Sequence, residues 1–303
     1  MQAPDEFNPV IGEAVTLEDG LRRIVADNPS PMTYRGTNTY LVGTGDIAVI
    51  DPGPESGAHM LAILAALQPG EQITHIFVTH SHVDHSPLAR PLAEATGAPV
   101  LAFGDSFAGR SAVMDKLAAD GLAGGGEGVD ASFKPDVLLA DGETVAGESW
   151  ALRALHTPGH FGNHLSFVWG DAIFCGDLVM GWASSLVSPP DGDLTDFMAS
   201  CQRLAAQDWR VFHAGHGAPI EAPNARLAWL IEHRLGREAQ ILAALNAGAA
   251  TAEALARAIY TDTPPALLPA ATRNVFAHLV DLHRKNRVQA RPELSAEALF
   301  STV

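Results

Sequence analysis

Cysteine is nearly missing from this 303-residue chain, which carries only Cys175 and Cys201. Two thiols allow one disulfide at most, and they exclude a structural zinc held by a cysteine cluster. Long apolar runs are missing too. None approaches the ~20 residues that a membrane-spanning helix needs, so no membrane partner is expected. The first residues, Met1-Gln2-Ala3-Pro4-Asp5-Glu6, are acidic and lack the basic-then-apolar layout of an export signal. Together these absences lead to the expectation of a reducing, cytoplasmic compartment. No glycine-rich stretch ends in the Gly-Lys-Ser/Thr of a phosphate loop. Positive charge is also scarce: 19 Lys and Arg stand against 35 Asp and Glu, a formal charge of −16. The deficit lies in residues 1–236, with 12 basic against 29 acidic side chains, whereas residues 237–303 hold seven against six. Such a field repels polyanions and disfavours tight nonspecific binding of RNA or DNA.

What is present is the composition of a globular protein with a sizeable core, 47% apolar and 18% charged. The length suits one large domain, or one domain with an appendage. The most informative stretch is Ile76-Phe77-Val78-Thr79-His80-Ser81-His82-Val83-Asp84-His85. The apolar run Ile73–Val78 predicts a short buried strand, and it ends where ligand-type side chains begin. His80, His82, Asp84 and His85 offer nitrogen and carboxylate donors suited to zinc or a similar borderline metal. In an extended chain His80, His82 and Asp84 share one face, because side chains alternate with period two. A turn into a helix then lets His85 swing towards a second metal.

Strands are expected at 38–43 and 47–50, the second ending in Asp51-Pro52-Gly53, whose carboxylate is either an ordinary turn acid or an acceptor for a hydrogen bond from a ligand histidine. A helix follows over 59–67. After the histidine cluster another is expected over 86–97, kinked or started late by Pro91, and then a strand over 99–103. Residues 104–135, with Gly124, Gly125, Gly126 and Gly128, read as a flexible loop that is either disordered or shapes an active-site mouth. Further strands are expected at 137–140, 150–155, 165–169, 172–175 and 211–214. His160, Asp177 and His216 each stand beside glycine at or near a strand end, as tight turns and close backbone approach require. From Asn224, expected to cap a long helix, the character turns helical. Thr251 is expected to cap a second helix, and a third runs from about 269 to 285. This sets a catalytic domain over 1–223 and a C-terminal helical module over 224–303. Arg284, Lys285, Arg287 and Arg291 form a small basic patch at a helix end that suits the helix dipole.

The full donor set is His80, His82, Asp84, His85, His160, Asp177 and His216, with gaps of 75, 17 and 39 residues after His85. This order resembles the metallo-β-lactamase superfamily, whose signature is His-x-His-x-Asp-His followed by single His, Asp and His ligands. The resemblance covers roughly residues 15–220. It implies an α/β fold, an αββα sandwich with the site at its edge. It implies two divalent metal ions, zinc by preference with iron or manganese also accepted, one held by His80, His82 and His160. The other would be held by Asp84, His85 and His216, with Asp177 bridging. A metal-bridged hydroxide would attack a carbonyl carbon or phosphorus. Asp84 would orient that hydroxide, His164 is a candidate proton donor or substrate contact or, equally, a structural side chain, and Asp51 matches the position that supports a ligand histidine. His213, beside the last ligand, could orient the site or only fill its strand.

Asn28-Pro29-Ser30-Pro31, Gly36-Thr37-Asn38-Thr39-Tyr40-Leu41-Val42-Gly43 and the C-terminal helices are similar to the lactamase-beta-2-like branch, whose appended module is winged-helix-like. Some members of that branch cut single-stranded RNA. Ser86-Pro87 replaces the Gly-Gly often found there, and the acidic surface suits RNA poorly. The expected function is therefore hydrolysis of a small-molecule ester, thioester or lactone. The alternatives are an endoribonuclease and a non-hydrolytic metal-binding protein.

Overall fold

Short continuous apolar runs, as in Tyr40-Leu41-Val42 and Ile47–Ile50, produce strands buried on both faces. A computed structural model of the chain describes residues 7–124 and 128–303. Residues 1–6 of the acidic lead, and Gly125 and Gly126 of the expected flexible loop, lie outside the described residues.

Seven strands form the first sheet in sequential order: β1 (Val15–Glu18), β2 (Leu21–Val25), β3 (Asn38–Val42), β4 (Asp46–Ile50), β5 (Gln72–Phe77), β6 (Val100–Ala102) and β7 (Val137–Leu138). Pairing is antiparallel from β1 to β4 and parallel from β4 to β7. The parallel crossovers contain α1 (Gly57–Ala65), α2 (Ala89–Thr96) and α3 (Ala112–Ala119). The late start of α2 leaves Pro91 in its first turn, where no backbone donor is missed.

A second sheet runs β12-β11-β10-β9-β8, from β8 (Thr144–Ala146), β9 (Ala151–His156), β10 (Leu165–Trp169), β11 (Ala172–Gly176) and β12 (Val211–Ala214). Its strands are antiparallel except β11 and β12, which α4 (Leu194–Ala205) joins in parallel. Tyr40, Ile50 and Phe77 of the first sheet meet Leu165, Phe167 and Phe174 of the second in one core. Phe77 and Phe167 cross edge to face with centroids 5.1 Å apart, a favoured aromatic geometry. On the outer face of the first sheet, Leu41, Val49 and Ile76 pack against Ile63 of α1 and Leu92 of α2. On the outer face of the second, Ile173 and Phe212 pack against Phe197 of α4 and Leu227 of α5 (Pro223–Asn246). The result is the expected α/β sandwich, helix–sheet–sheet–helix.

The C-terminal module adds α6 (Ala252–Ile259), α7 (Leu268–Arg284) and a two-stranded wing of β13 (Val288–Arg291) and β14 (Leu299–Thr302). Thr251 caps α6 by accepting from the Ala254 amide at 3.3 Å. Asn224 does not cap α5. Ala222 takes that place with Pro223 in the first turn, and the Asn224 side chain turns back to the Trp209 amide (3.2 Å) and the Gln207 carbonyl (2.7 Å). The expected boundary at 223/224 thus meets the start of a helix whose first half packs on the sandwich through Leu227 and Leu230. Its second half enters the module core through Ile241 and Leu245.

Residues 104–135 differ from the expected loop. They contain α3, whose Met114 and Leu117, three apart on one helical face, are buried in the module core with Phe276 and Leu279. Two members of the basic patch are in ion pairs, Arg284 with Asp193 at 2.9 Å and Lys285 with Asp281 at 2.6 Å, while Arg287 and Arg291 are exposed. Both cysteines are buried and free. Among the described residues no helix is long and apolar enough to cross a membrane.

If the core lies between the sheets, Phe167→Ala should cost about 3–5 kcal/mol in urea unfolding. Leu138→Ala, on a side chain with 66% exposure, should change stability by no more than about 0.5 kcal/mol. Equal losses at the two positions would refute that placement.

Candidate metal centre

The donors gather because β4, β5, β9, β11 and β12 all deliver their C-terminal ends to one edge of the sandwich. Asp51 follows β4, Thr79–Ser86 follow β5, His160 follows β9, Asp177 follows β11, and His216 follows β12. The chain does not stay extended past His82, as the alternation argument assumed. The His85 and Ser86 amides both donate to the His82 carbonyl (3.0 and 3.1 Å), closing a turn. That turn sends Asp84 away from His80 and His82 and towards His85 and His216.

Two clusters result. In the first, His80 Nε2 faces His82 Nδ1 at 3.0 Å, and His82 Nδ1 faces His160 Nε2 at 3.1 Å. In the second, His216 Nε2 lies 3.2 Å from Asp84 Oδ2, and His85 Nε2 lies 3.4 Å from the same oxygen. Asp177 stands between the two: Oδ2 is 3.3 Å from His216 Nε2 and 3.7 Å from His160 Nε2, while Oδ1 is 3.5 Å from His85 Nε2. All seven side chains are buried.

The hydrogen bonds on the far side of each ring say which nitrogen is free. His160 Nδ1 donates to the Leu186 carbonyl at 2.7 Å, and His216 Nδ1 donates to the Gly36 carbonyl at 3.1 Å. The Thr79 hydroxyl gives its proton to Asp51 Oδ2 at 2.7 Å, so it must accept from His80 Nδ1 at 3.0 Å. His85 Nδ1 donates to Asp51 Oδ2 at 2.9 Å. Each Nε2 is thereby left with its lone pair turned inward in the neutral ring, the arrangement that a metal-binding histidine needs. In the first cluster three ring nitrogens converge, and at most one of them has a proton to share. Asp84 Oδ1 and Asp177 Oδ1 are buried without a hydrogen-bond partner. Converging lone pairs and unpartnered carboxylate oxygens fit divalent cations and not a closed hydrogen-bond network. The fit allows one ion at His80, His82 and His160 and another at Asp84, His85 and His216.

The electrostatics separate the two clusters. Burial pushes His80 well below the ordinary histidine range and His82 down to about 3, helped in both by neighbouring imidazoles. Burial also lowers His160. For His216 burial again opposes the charge, but the Asp177 and Asp84 carboxylates outweigh it and lift the pKa to about 10. His85 is raised well above its usual value by the same contest, with Asp84 foremost among the carboxylates. Burial pulls Asp84 and Asp177 upwards, yet His85 and His216 hold both below the ordinary carboxylate range.

Backbone clearance matters at Gly215. A Cβ there would sit 2.3 Å from Asp177 Oδ1 and 2.7 Å from His85 Cε1, so no other residue leaves room for this approach. The site opens into a cavity of about 80 Å³ lined by Pro31, Met32, Met180, Trp182, Leu186 and neighbours, with His82, His160 and Asp177 at its floor. Trp182 also walls a second, largely apolar cavity of about 420 Å³ beside Tyr34 and Trp229. Pro31 falls in the motif noted in the sequence. Met180, Trp182 and Leu186 were missed, since a loop of ordinary apolar residues carries no donor pattern. Thr79 and the Leu186 carbonyl were missed because a lone hydroxyl and a backbone oxygen leave no mark in a sequence.

His164 does not line the cavity. It is wholly buried with Nδ1 3.0 Å from Thr157 Oγ1, its ring 5.2 Å from that of His80, and Nε2 without a partner. His213 points away from the cluster and stacks on Phe174 with centroids 5.1 Å apart.

A family model described as the metallo-beta-lactamase superfamily matches residues 32–216, and one described as the beta-lactamase associated winged helix domain matches residues 251–293. The chain is 31% identical to the beta-lactamase-like protein 2 homolog of Drosophila melanogaster over 94% of this chain and 95% of that protein. It is 28% identical to the atrochrysone carboxyl ACP thioesterase of Aspergillus fumigatus over 84% of this chain and 78% of that one. Among solved structures, a metallo-beta-lactamase family protein from Thermus thermophilus superposes with a TM-score of 0.76 at 25% identity, covering 95% of this chain and all of that one.

Cation binding should separate by pH. At pH 7 the first cluster is already neutral, whereas His85 and His216 are protonated, so a cation entering beside Asp84 must displace protons. Its affinity therefore falls as pH drops through about 10, while the first cluster binds with little pH dependence. Zinc calorimetry in two buffers of different protonation enthalpy should show about one to two protons released in one step and almost none in the other. Equal release in both steps would refute the assignment.

Proposed function

Since the chain belongs to the metallo-β-lactamase superfamily and is a metal-dependent hydrolase, we propose that it hydrolyses small apolar thioesters, esters or lactones at a centre for two divalent cations, zinc by preference. The observation that carries this reading is the juxtaposition of the His80, His82 and His160 cluster with the Asp84, His85 and His216 cluster. Both flank Asp177, below an apolar mouth of about 80 Å³. When bound, such ions supply a water deprotonated near neutral pH and a Lewis acid for the carbonyl oxygen.

The chain's own residues do the rest. His82, His160 and Asp177 floor the cavity, so a carbonyl group must enter over them. Asp84 stays ionised, and its Oδ1, free of protein partners, is the atom that can accept a hydrogen bond from an attacking water and orient it. Thr37 Oγ1 contacts Asp84 Oδ2 at 3.4 Å and helps to fix which oxygen is free. Met32, Met180, Trp182 and Leu186 keep bulk water from the mouth and favour an apolar acyl group. His164, held neutral and away from the mouth, is read as a packing partner of Thr157 and His80, with no part in proton donation.

The thioesterase name of one relative supports an acyl substrate. A strand of RNA is disfavoured by a small apolar mouth on a chain of charge −16.

With two zinc ions bound per chain, turnover is expected on a panel of apolar thioesters, lactones and esters. Asp84→Ala should lower kcat by about 10²–10⁴-fold. Unstructured labelled RNA should stay intact. A fully metallated protein that leaves the whole panel untouched, or that cuts RNA in an Asp84-dependent way, would overturn the proposal.

A further inference from the structure

Arg234, in the middle of α5, is 2% exposed, yet it makes no ion pair with a carboxylate among the described residues. Its guanidinium lies 5.1 Å from the Phe197 ring centroid, and its hydrogen bonds go to neutral acceptors alone. A buried charge without a counter-ion is unfavourable by several kcal/mol, and an apolar side chain would pack against Phe197 without that penalty. The reason for a guanidinium here must therefore lie in what its fork holds.

It holds one loop. Arg234 Nη2 donates to the Ser185 carbonyl, and Nη1 donates to Asn274 Oδ1 at 3.0 Å. The same Asn274 oxygen, carried by α7, accepts from the Val187 amide at 3.1 Å. Between these two tethered residues stands Leu186, whose carbonyl accepts from His160 Nδ1 at 2.7 Å and whose side chain lines the mouth. Arg226 of α5 fastens the preceding turns, with Nε on the Met180 carbonyl at 2.7 Å and Nη2 on the Ala183 carbonyl at 2.6 Å. Three side chains of α5 and α7 thus grip the segment that orients a candidate ligand.

We infer that Arg234, together with Asn274, is a positioning residue for His160, acting through the backbone of Ser185–Val187. The inference rests on the reading of His160 as a metal ligand. Displacing the Leu186 carbonyl frees the His160 ring to rotate and to exchange its protonated nitrogen, so Nε2 no longer faces His80 and His82. Loss of such a partner typically weakens metal binding by about 10- to 100-fold. On this account the C-terminal module is part of the metal site's frame.

The test is zinc affinity of the full-length chain, measured by competition with a chromophoric chelator and paired with thermal unfolding of the metal-free protein. Arg234→Met and Asn274→Leu should each weaken the zinc step that releases almost no protons by about 10- to 100-fold. Arg234→Lys keeps a charge but not the fork, so it should fall between wild type and Arg234→Met. Val275→Ala, in the module core beside Asn274, should lower the unfolding temperature and leave zinc affinity unchanged. Wild-type affinity in the Arg234 and Asn274 variants, or equal weakening by Val275→Ala, would overturn the inference. If Arg234→Met fails to fold, Asn274→Leu decides. His160→Ala separates the two levels: unchanged zinc binding there refutes the ligand reading itself, whereas lost binding with unaffected Arg234 variants refutes only the positioning.

Discussion

The Asp51 carboxylate is the tie on which the rest of the centre depends. Oδ1 accepts from the Thr79 amide and Oδ2 from the Thr79 hydroxyl, both at 2.7 Å, and Oδ2 also accepts from His85 Nδ1 at 2.9 Å. Through Thr79 it reaches His80, so one buried side chain sets a ring in each cluster. Its backbone sits at φ +51°, a left-handed conformation that an L-residue adopts at a cost of about 1–3 kcal/mol. The chain tolerates that strain because the Asp51 amide is tied to the Phe77 carbonyl and the Thr39 hydroxyl donates to the Asp51 carbonyl. Two neighbouring strands therefore dictate the direction of the carboxylate before any ligand is considered. Local strain at a strand end is exchanged for alignment of two imidazoles 34 and 29 residues away in the chain.

That alignment creates an electrostatic problem within the fold. Asp84 and Asp177 are buried as anions beside imidazoles, and burial alone would neutralise both. Without cations, the protons on His85 and His216 balance these charges. Nothing comparable balances the converging lone pairs of His80, His82 and His160, whose pKa values fall instead. The two halves therefore differ in character: one is an acid–imidazolium cage that exchanges protons for metal, the other a neutral nitrogen cage ready to receive it. The acidic excess of residues 1–236 suits the same arrangement, since it draws cations in and turns polyanions away.

Much of this was legible in the sequence wherever chemistry and local pattern coincide. Four donors in six residues after Ile73–Val78 announce a metal loop, and single donors beside glycines mark the strand ends that complete it. The αββα layering followed from resemblance, and from strands too apolar to be exposed on either face. What escaped is non-local. The turn that separates Asp84 from His80 and His82 is closed by backbone amides on the His82 carbonyl, and alternation could not foresee it. The helix Ala112–Ala119 was hidden among glycines because its partners, Phe276 and Leu279, lie more than 150 residues away. Asn224 has the chemistry of a cap, but the loop at Gln207–Trp209 competes for its side chain, and Pro223 starts the helix without help.

The same non-locality explains why the C-terminal module resists a separate function. A winged-helix-like unit on a neutral segment invites a reading as a nucleic-acid arm. Yet three of its cations are engaged within the fold: Arg284 with Asp193, Lys285 with Asp281 and Glu238, and Arg273 with the Ser188 hydroxyl and the Pro189 carbonyl. Those partners belong mainly to the segment that runs from the mouth into α4. Its arginines on α5 likewise reach carbonyls of the mouth loop, where a phosphate could not compete without breaking that loop apart. Of the four cations in the basic patch at the end of α7, Arg284 and Lys285 are thus committed within the fold, whereas Arg287 and Arg291 stay exposed. The geometry is that of a clamp, which holds the loop forming one wall of a small apolar cavity and fixes the oxygen on which His160 turns.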